Sequence, residues 1–285
     1  MSSKSICFSW GVYLASAHHP SRKQRVRILC ALFLMLVPVE LQAHHEAIFG
    51  PQSAALLAKP GYVSVQYYFT NEGRRPADLI HSNIGVLSAA TRIAGSWGVS
   101  LALPFEIQGG SPDAVQGLHD PVFGLRYTPR IGTNKNLIAT VTAEPPVTSL
   151  EVRSFGVGGG ALYAAEKGHW SGVLYTLART EHSFQEGTKR GNRFFAGGGL
   201  AFEARRLPFS PQLGMSWEHT GPRIEGGKSI TDSRTSALML HPTVVKTFRE
   251  ERFSTFFVVS LPVAQWSGNE GWQRWRVATG VVWSF

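Results

Sequence analysis

From about residue 60 onward, apolar residues recur at every second position. Val99, Leu101, Leu103, Phe105 and Ile107 alternate with Ser100, Ala102, Pro104 and Glu106. Phe123, Leu125 and Tyr127 flank Gly124 and Arg126, and Leu137, Ala139, Val141 and Ala143 flank Thr140, Thr142 and Glu144. Leu213, Met215 and Trp217 alternate with Gln212, Gly214, Ser216 and Glu218. A period of two is that of a β-strand with one apolar face and one polar face, and no helix-period segment stands out after His44. The pattern predicts twelve strands, near 61–70, 83–93, 98–107, 120–129, 136–145, 155–165, 170–182, 192–204, 209–219, 235–248, 253–263 and 272–285. The alternation is fuzzier around 156–165 and 237–247.

The connections follow a rhythm. Ala94–Trp97, Ile131–Lys135, Lys167–His169, Arg205–Pro208 and Arg249–Arg252 are short, whereas Asn71–Ser82, Gln108–His119, Gln185–Gly191 and Thr220–Arg234 are mostly longer and richer in Gly, Pro and charge. Short periplasmic turns alternating with longer outer loops are the habit of a transmembrane up-and-down β-barrel. A soluble sandwich gives no reason for that rhythm. The last segment sharpens the expectation. Trp275, Val277, Thr279, Val281, Trp283 and Phe285 share one face, and Arg274, Arg276, Ala278, Gly280 and Ser284 share the other. Trp275 and Trp283 are spaced to reach opposite membrane interfaces. A terminal Phe285 on such a strand resembles the signal read by the barrel-assembly machinery, which is expected as a partner beside the outer-membrane lipids.

Composition agrees with a barrel. Only 16% of the 285 residues are charged and 30 are glycine, an unusual mixture for a soluble α/β enzyme. The net charge of +9 contains no Lys/Arg run interleaved with aromatics, so nucleic acid is not an expected partner. The two cysteines, Cys7 and Cys30, both precede residue 44.

The N-terminal region reads as an export signal. Arg22, Lys23, Arg25 and Arg27 precede the apolar run Ile28–Val37, which ends at Pro38 and is followed by Ala43. Ten apolar residues span about 15 Å as a helix, half the hydrocarbon thickness, so a membrane anchor is the poorer reading. Cys30 sits near the start of that run, whereas lipidation needs it at the end. The expected organisation is a signal peptide over 1–43, a periplasmic or plug segment over 44–60, and a transmembrane barrel over 61–285, in the outer membrane of a Gram-negative bacterium.

Gly85–Ile93 (GVLSAATRI), Trp97–Phe105 (WGVSLALPF) and His119–Tyr127 (HDPVFGLRY) resemble successive strands of the outer-membrane transporters named for the meta-pathway of phenol degradation. The resemblance extends loosely over residues 60–285. It implies passage of small molecules, aromatic or hydrophobic ones among them, and it supplies no catalytic residues and no cofactor.

Candidate chemistry falls in three places. Glu106, Arg126, Glu144, Glu203, Glu218, Arg274 and Arg276 take the polar face of their strands and are expected to line the pore, where opposite charges select ions or orient a solute. The same charges could instead pair and plug the interior. His44 and His45, with a free amine and Glu46, could bind a divalent metal, or form an exposed polar start of no consequence. A lipid hydrolase is the alternative from another class. His81-Ser82-Asn83 superficially resembles a phospholipase motif but lacks its spacer residue, so the expectation is a porin-like barrel and not an enzyme.

Overall fold

The computed structural model describes residues 61–74, 79–109, 116–129, 131–132, 134–147, 154–183, 191–202, 208–248, 252–268 and 272–285. The expected signal peptide (1–43), the segment 44–60 with His44 and His45, and Glu203 lie outside the described residues.

The chain forms β1 (Tyr62–Glu72), β2 (Ile80–Ala94), β3 (Trp97–Gly109), β4 (Gln116–Leu118), β5 (Val122–Tyr127), β6 (Lys135–Glu144), β7 (Ser154–Lys167) and β8 (Trp170–Ser183). It continues with β9 (Arg193–Phe202), β10 (Ser210–Thr220), β11 (Arg223–Glu225), β12 (Lys228–Ile230), β13 (Thr235–Thr247), β14 (Phe253–Gln265) and β15 (Gln273–Ser284). Every pairing is antiparallel, and β2 joins both β1 and β3 while β1 joins β15. The sheet therefore closes on itself as a twelve-stranded barrel. β4 adds to the outer end of β3, and β11 and β12 form a separate hairpin in the loop between β10 and β13.

The strand expected at 120–129 is broken. Gln116–Leu118 pairs with Phe105–Ile107, and pairing with β3 resumes at Val122. Pro121 lies in the gap, and a proline cannot donate to the ladder. His119 keeps the contact by donating its backbone N–H to the Pro104 carbonyl at 2.9 Å. Elsewhere the strands match expectation within a few residues, and β2 and β3 run further toward the loop end than alternation suggested. The short connections gather at one end, with the two-residue turns Gly95-Ser96 and Gly168-His169 among them. Both turn glycines have positive φ, as tight hairpin turns require.

The barrel is inside out relative to a soluble protein. Outward Leu174 is 64% exposed and Val65 60%, whereas inward Gln66 is 2% exposed and Glu218 4%. In hydrocarbon this places apolar side chains against lipid, and the closed ladder satisfies the backbone. Aromatic rings gather in two outer girdles. At the loop end Phe69 packs on Trp275 and His81, and Phe194 on Trp217. At the turn end Trp97 packs on Tyr127, Trp170 on Phe202, and Trp283 on Phe253 and Phe285. Trp275 and Trp283 thus stand in opposite girdles, where amphipathic rings meet the headgroups.

The interior has two zones. Its turn-end half carries two apolar clusters. One comprises Ile138, Leu162, Ala164, Val173 and Ala201; the other comprises Tyr62, Ala90, Val245, Phe256, Val258, Ala278 and Val282. These clusters explain the blurred alternation in β7 and β13, since Leu162, Ala164 and Val245 are apolar and inward while outward neighbours such as Ala161, Tyr163 and Val244 are apolar too. Inward glycine makes room for bulky neighbours. Tyr175 lies across Gly197, where an added Cβ would come within 2.6 Å of its hydroxyl and of the Met215 carbonyl.

Gly197→Val should therefore cost about 1–3 kcal/mol through overpacking. It should appear as a lower urea midpoint for the heat-modifiable folded band on a detergent gel. An unchanged midpoint would show that the wall yields freely there.

Candidate functional site

The loop-end half of the interior is polar and charged. It is built from the inward positions of strands whose outward positions face lipid. On β10 the inward set is Gln212, Gly214, Ser216 and Glu218; on β13 it is Thr235, Ala237, Met239, His241, Thr243 and Val245. Two clusters of ion pairs organise this half.

The first joins β6 and β8. Arg179 pairs with Glu144, and its Nη2 lies 2.9 Å from Glu181 Oε1. All three side chains are nearly excluded from solvent. β7 runs between these strands, and its Gly156 leaves the space the guanidinium fills: an added Cβ there would lie 2.8 Å from Nη2. Arg179 is therefore laid flat against the wall.

The second cluster runs from β15 to β10. Arg276 Nη2 donates to Glu218 Oε2 at 2.7 Å, and its Nε and Nη2 donate to Gln273 Oε1 at 3.0 and 2.9 Å. Glu218 Oε1 accepts from the Ser216 hydroxyl at 3.0 Å. Ser216 Oγ is 2.7 Å from His241 Nε2, and His241 Nδ1 is 2.8 Å from Ser260 Oγ. Proton assignment follows from donor counting. A carboxylate bridged to Arg276 only accepts, so Ser216 donates to it and must accept from His241 Nε2–H. Nδ1 of a neutral imidazole then accepts from Ser260. The pair is polarised the wrong way for His241 to deprotonate Ser216, so this Ser–His contact is not a nucleophile and its base.

Of the residues expected to line the pore, Glu106, Arg126, Glu144 and Glu218 are buried on the inward face and Arg276 is half-buried there. Glu144 and Glu218 belong to different clusters. Glu106 pairs with His119, 3.5 Å away on the segment between β4 and β5. Arg126 lies toward the turn end, with Tyr62 and Arg92 as its electrostatic neighbours. Arg274 reaches the loop rim, where Nε donates to the Gly73 carbonyl at 2.9 Å and Nη2 to the Arg74 carbonyl at 3.1 Å. It thereby ties the last strand to the loop after the first. His81 and Ser82 point to opposite faces of β2, with His81 stacked outward on Phe69 and Ser82 buried inward.

Sequence reading passed over Arg179, Glu181, Arg193, His241, Ser260 and Gln273, all of which are buried or half-buried and inward. Strand parity held the signal for some. Arg179 and Glu181 share the parity of Val173 and Leu177, and His241 shares that of Ala237 and Thr243. Apolar residues at the same parity hid it.

No family's sequence profile matches the chain, and no curated protein matches it in sequence. Among solved structures the chain is similar to an outer-membrane channel from Pseudomonas putida F1, with 16% identity and a TM-score of 0.65 over 80% of this chain and 96% of that one. It is also similar to the KdgM porin in complex with disordered oligogalacturonate, at 10% identity and TM-score 0.47 over 79% and 99%. The NanC porin matches at 8% identity and TM-score 0.49 over 78% and 100%. The first likeness shows the fold. With a closed wall, an apolar outer face and two aromatic girdles, the chain has the build of a transmembrane β-barrel of the outer-membrane type.

Removing Arg179 while keeping its shape takes from Glu144 and Glu181 a buried cation that both pair with. Arg179→Met should destabilise the barrel by about 3–5 kcal/mol, read as a lower urea midpoint in lipid. The triple replacement of Arg179, Glu144 and Glu181 by Met, Gln and Gln should recover most of that loss. A single variant as stable as the parent would show that the cluster carries no such cost.

Proposed function

We propose that this barrel is an outer-membrane channel for small molecules. The observation that carries the reading is the interior itself, where buried ion pairs occupy the loop-end half and two apolar clusters sit among polar residues in the turn-end half. Buried ion pairs are poor stabilisers, and well-packed apolar residues of similar volume often serve stability as well or better. A wall that needed only to hold itself together would gain nothing from arginines and glutamates facing its own axis. Charged side chains facing a lumen are instead what orients a polar solute or selects an ion. Similarity in fold to an outer-membrane channel supports the same reading.

The finer reading is that the solute is aromatic or hydrophobic with a polar end. It rests on the resemblance to the transporters named for phenol degradation and on the apolar cluster of Tyr62, Phe256 and Val258, with Tyr68 packed against it.

Proteoliposome swelling tests both levels. Vesicles carrying the protein should swell in isotonic benzoate and in a small neutral sugar faster than empty vesicles, with benzoate the faster of the two. Swelling no faster than empty vesicles for either solute would overturn the channel reading. Equal rates would leave the channel and remove the aromatic preference.

A further inference from the structure

We infer that the Arg276–Glu218 bridge is the gate of this barrel, held shut by Gln273 on one side and by the Ser216–His241–Ser260 chain on the other. The inference rests on the channel reading above and names its closing element.

Three features set this bridge apart from the Arg179 cluster. The first is its span. Arg276 is on β15 and Glu218 on β10, with β14 and β13 between them in the wall, so the 2.7 Å contact cuts a chord across the interior. Arg179 skips only β7 and lies against the wall over Gly156, bound also to Glu181 of its own strand. The second is exposure. Arg276 is 16% exposed and Glu218 5%, so the bridge borders the wetter part of the interior, whereas Arg179 and its partners are at 9% or less.

The third is that each charge has a neutral hydrogen-bond partner besides the opposite charge. Arg276 would keep Gln273 Oε1, which accepts from both its Nε and its Nη2. Gln273 is itself fixed, because Gln265 donates to its carbonyl at 2.9 Å and accepts from its backbone N–H at 3.0 Å. Glu218 would keep the Ser216 hydroxyl, which is positioned through His241 by Ser260. An unpartnered buried charge is what makes most interior bridges costly to open. Here each charge has one neutral partner on its own side of the bridge, which lowers the cost of opening relative to a bare pair. The supporting residues lie on β10, β13, β14 and β15, which are successive strands of the wall.

Single-channel recording in planar bilayers, with the folded full-length protein in potassium chloride, tests this. Arg276→Gln and Glu218→Gln should each raise the open fraction or the conductance several-fold over the parent. The exchange of charges, Glu218→Arg with Arg276→Glu, should bring it back toward the parent. Folding of each variant is scored by heat-modifiable migration. Should the neutral variants not fold, Arg276→Lys, which keeps the charge but lacks the planar fork, carries the same test and should also open the channel. Variants that conduct like a conducting parent would overturn the gate and leave the channel reading standing. An absence of conductance in the parent and in every folded variant would overturn both.

Discussion

Backbone hydrogen bonding in hydrocarbon is the constraint on which the rest of this structure depends. Each unpaired N–H or C=O in lipid costs several kcal/mol, so a sheet there cannot keep a free edge. The eleven-residue register between β1 and β15 removes the last edge. Once the wall is closed, every side chain must go either to lipid or to the axis, and period-two alternation decides which. The outer face then needs no partner, and for that reason Leu174 and Val65 can be more than half exposed in a stable protein. The same closure makes Arg274 useful at the rim, where it fastens the end of the chain to carbonyls about 200 residues earlier.

Closure leaves the interior as the place where sequence is free to specialise. The interior carries two apolar clusters near the turns, among polar residues, and its ion-pair clusters near the loops, and the chain meets the cost of charge burial by pairing. Small residues take part in that pairing. Gly156 admits the Arg179 guanidinium, and Gly197 admits the Tyr175 ring, so glycine on the inner face acts through the space it leaves. The two ion-pair clusters differ in character despite similar chemistry. One is pressed into the wall by a glycine and a second carboxylate, and the other reaches from β15 to β10 over two intervening strands. Strength of pairing is therefore a poor guide to role in this interior; direction and span distinguish the two.

Much of the architecture was legible before any coordinates. The alternation located all twelve barrel segments, and the long–short rhythm of connections ordered them, because both follow from local geometry. Two features were not legible. The break at Asp120-Pro121 depends on which neighbour the strand must pair with, and a proline inside an alternating run does not announce whether the ladder stops or merely skips. The blur over 156–165 and 237–247 came from inward apolar residues, which a polarity pattern alone cannot tell from outward ones.

The sequence by itself determined that the chain is a closed β-barrel with lipid-facing and axis-facing sets, and it placed Glu106, Arg126, Glu144, Glu218 and Arg276 on the axis-facing side. Strand parity is a local property, so no tertiary information was needed. Only the tertiary structure decided which of those charges meet. Arg276 and Glu218 are 58 residues apart, and Ser216 and Ser260 reach the same imidazole from different strands. Those meetings depend on register and on the curvature that brings β15 to face β10. Both are set by the closed wall as a whole, and neither is written in the residues that make the contact.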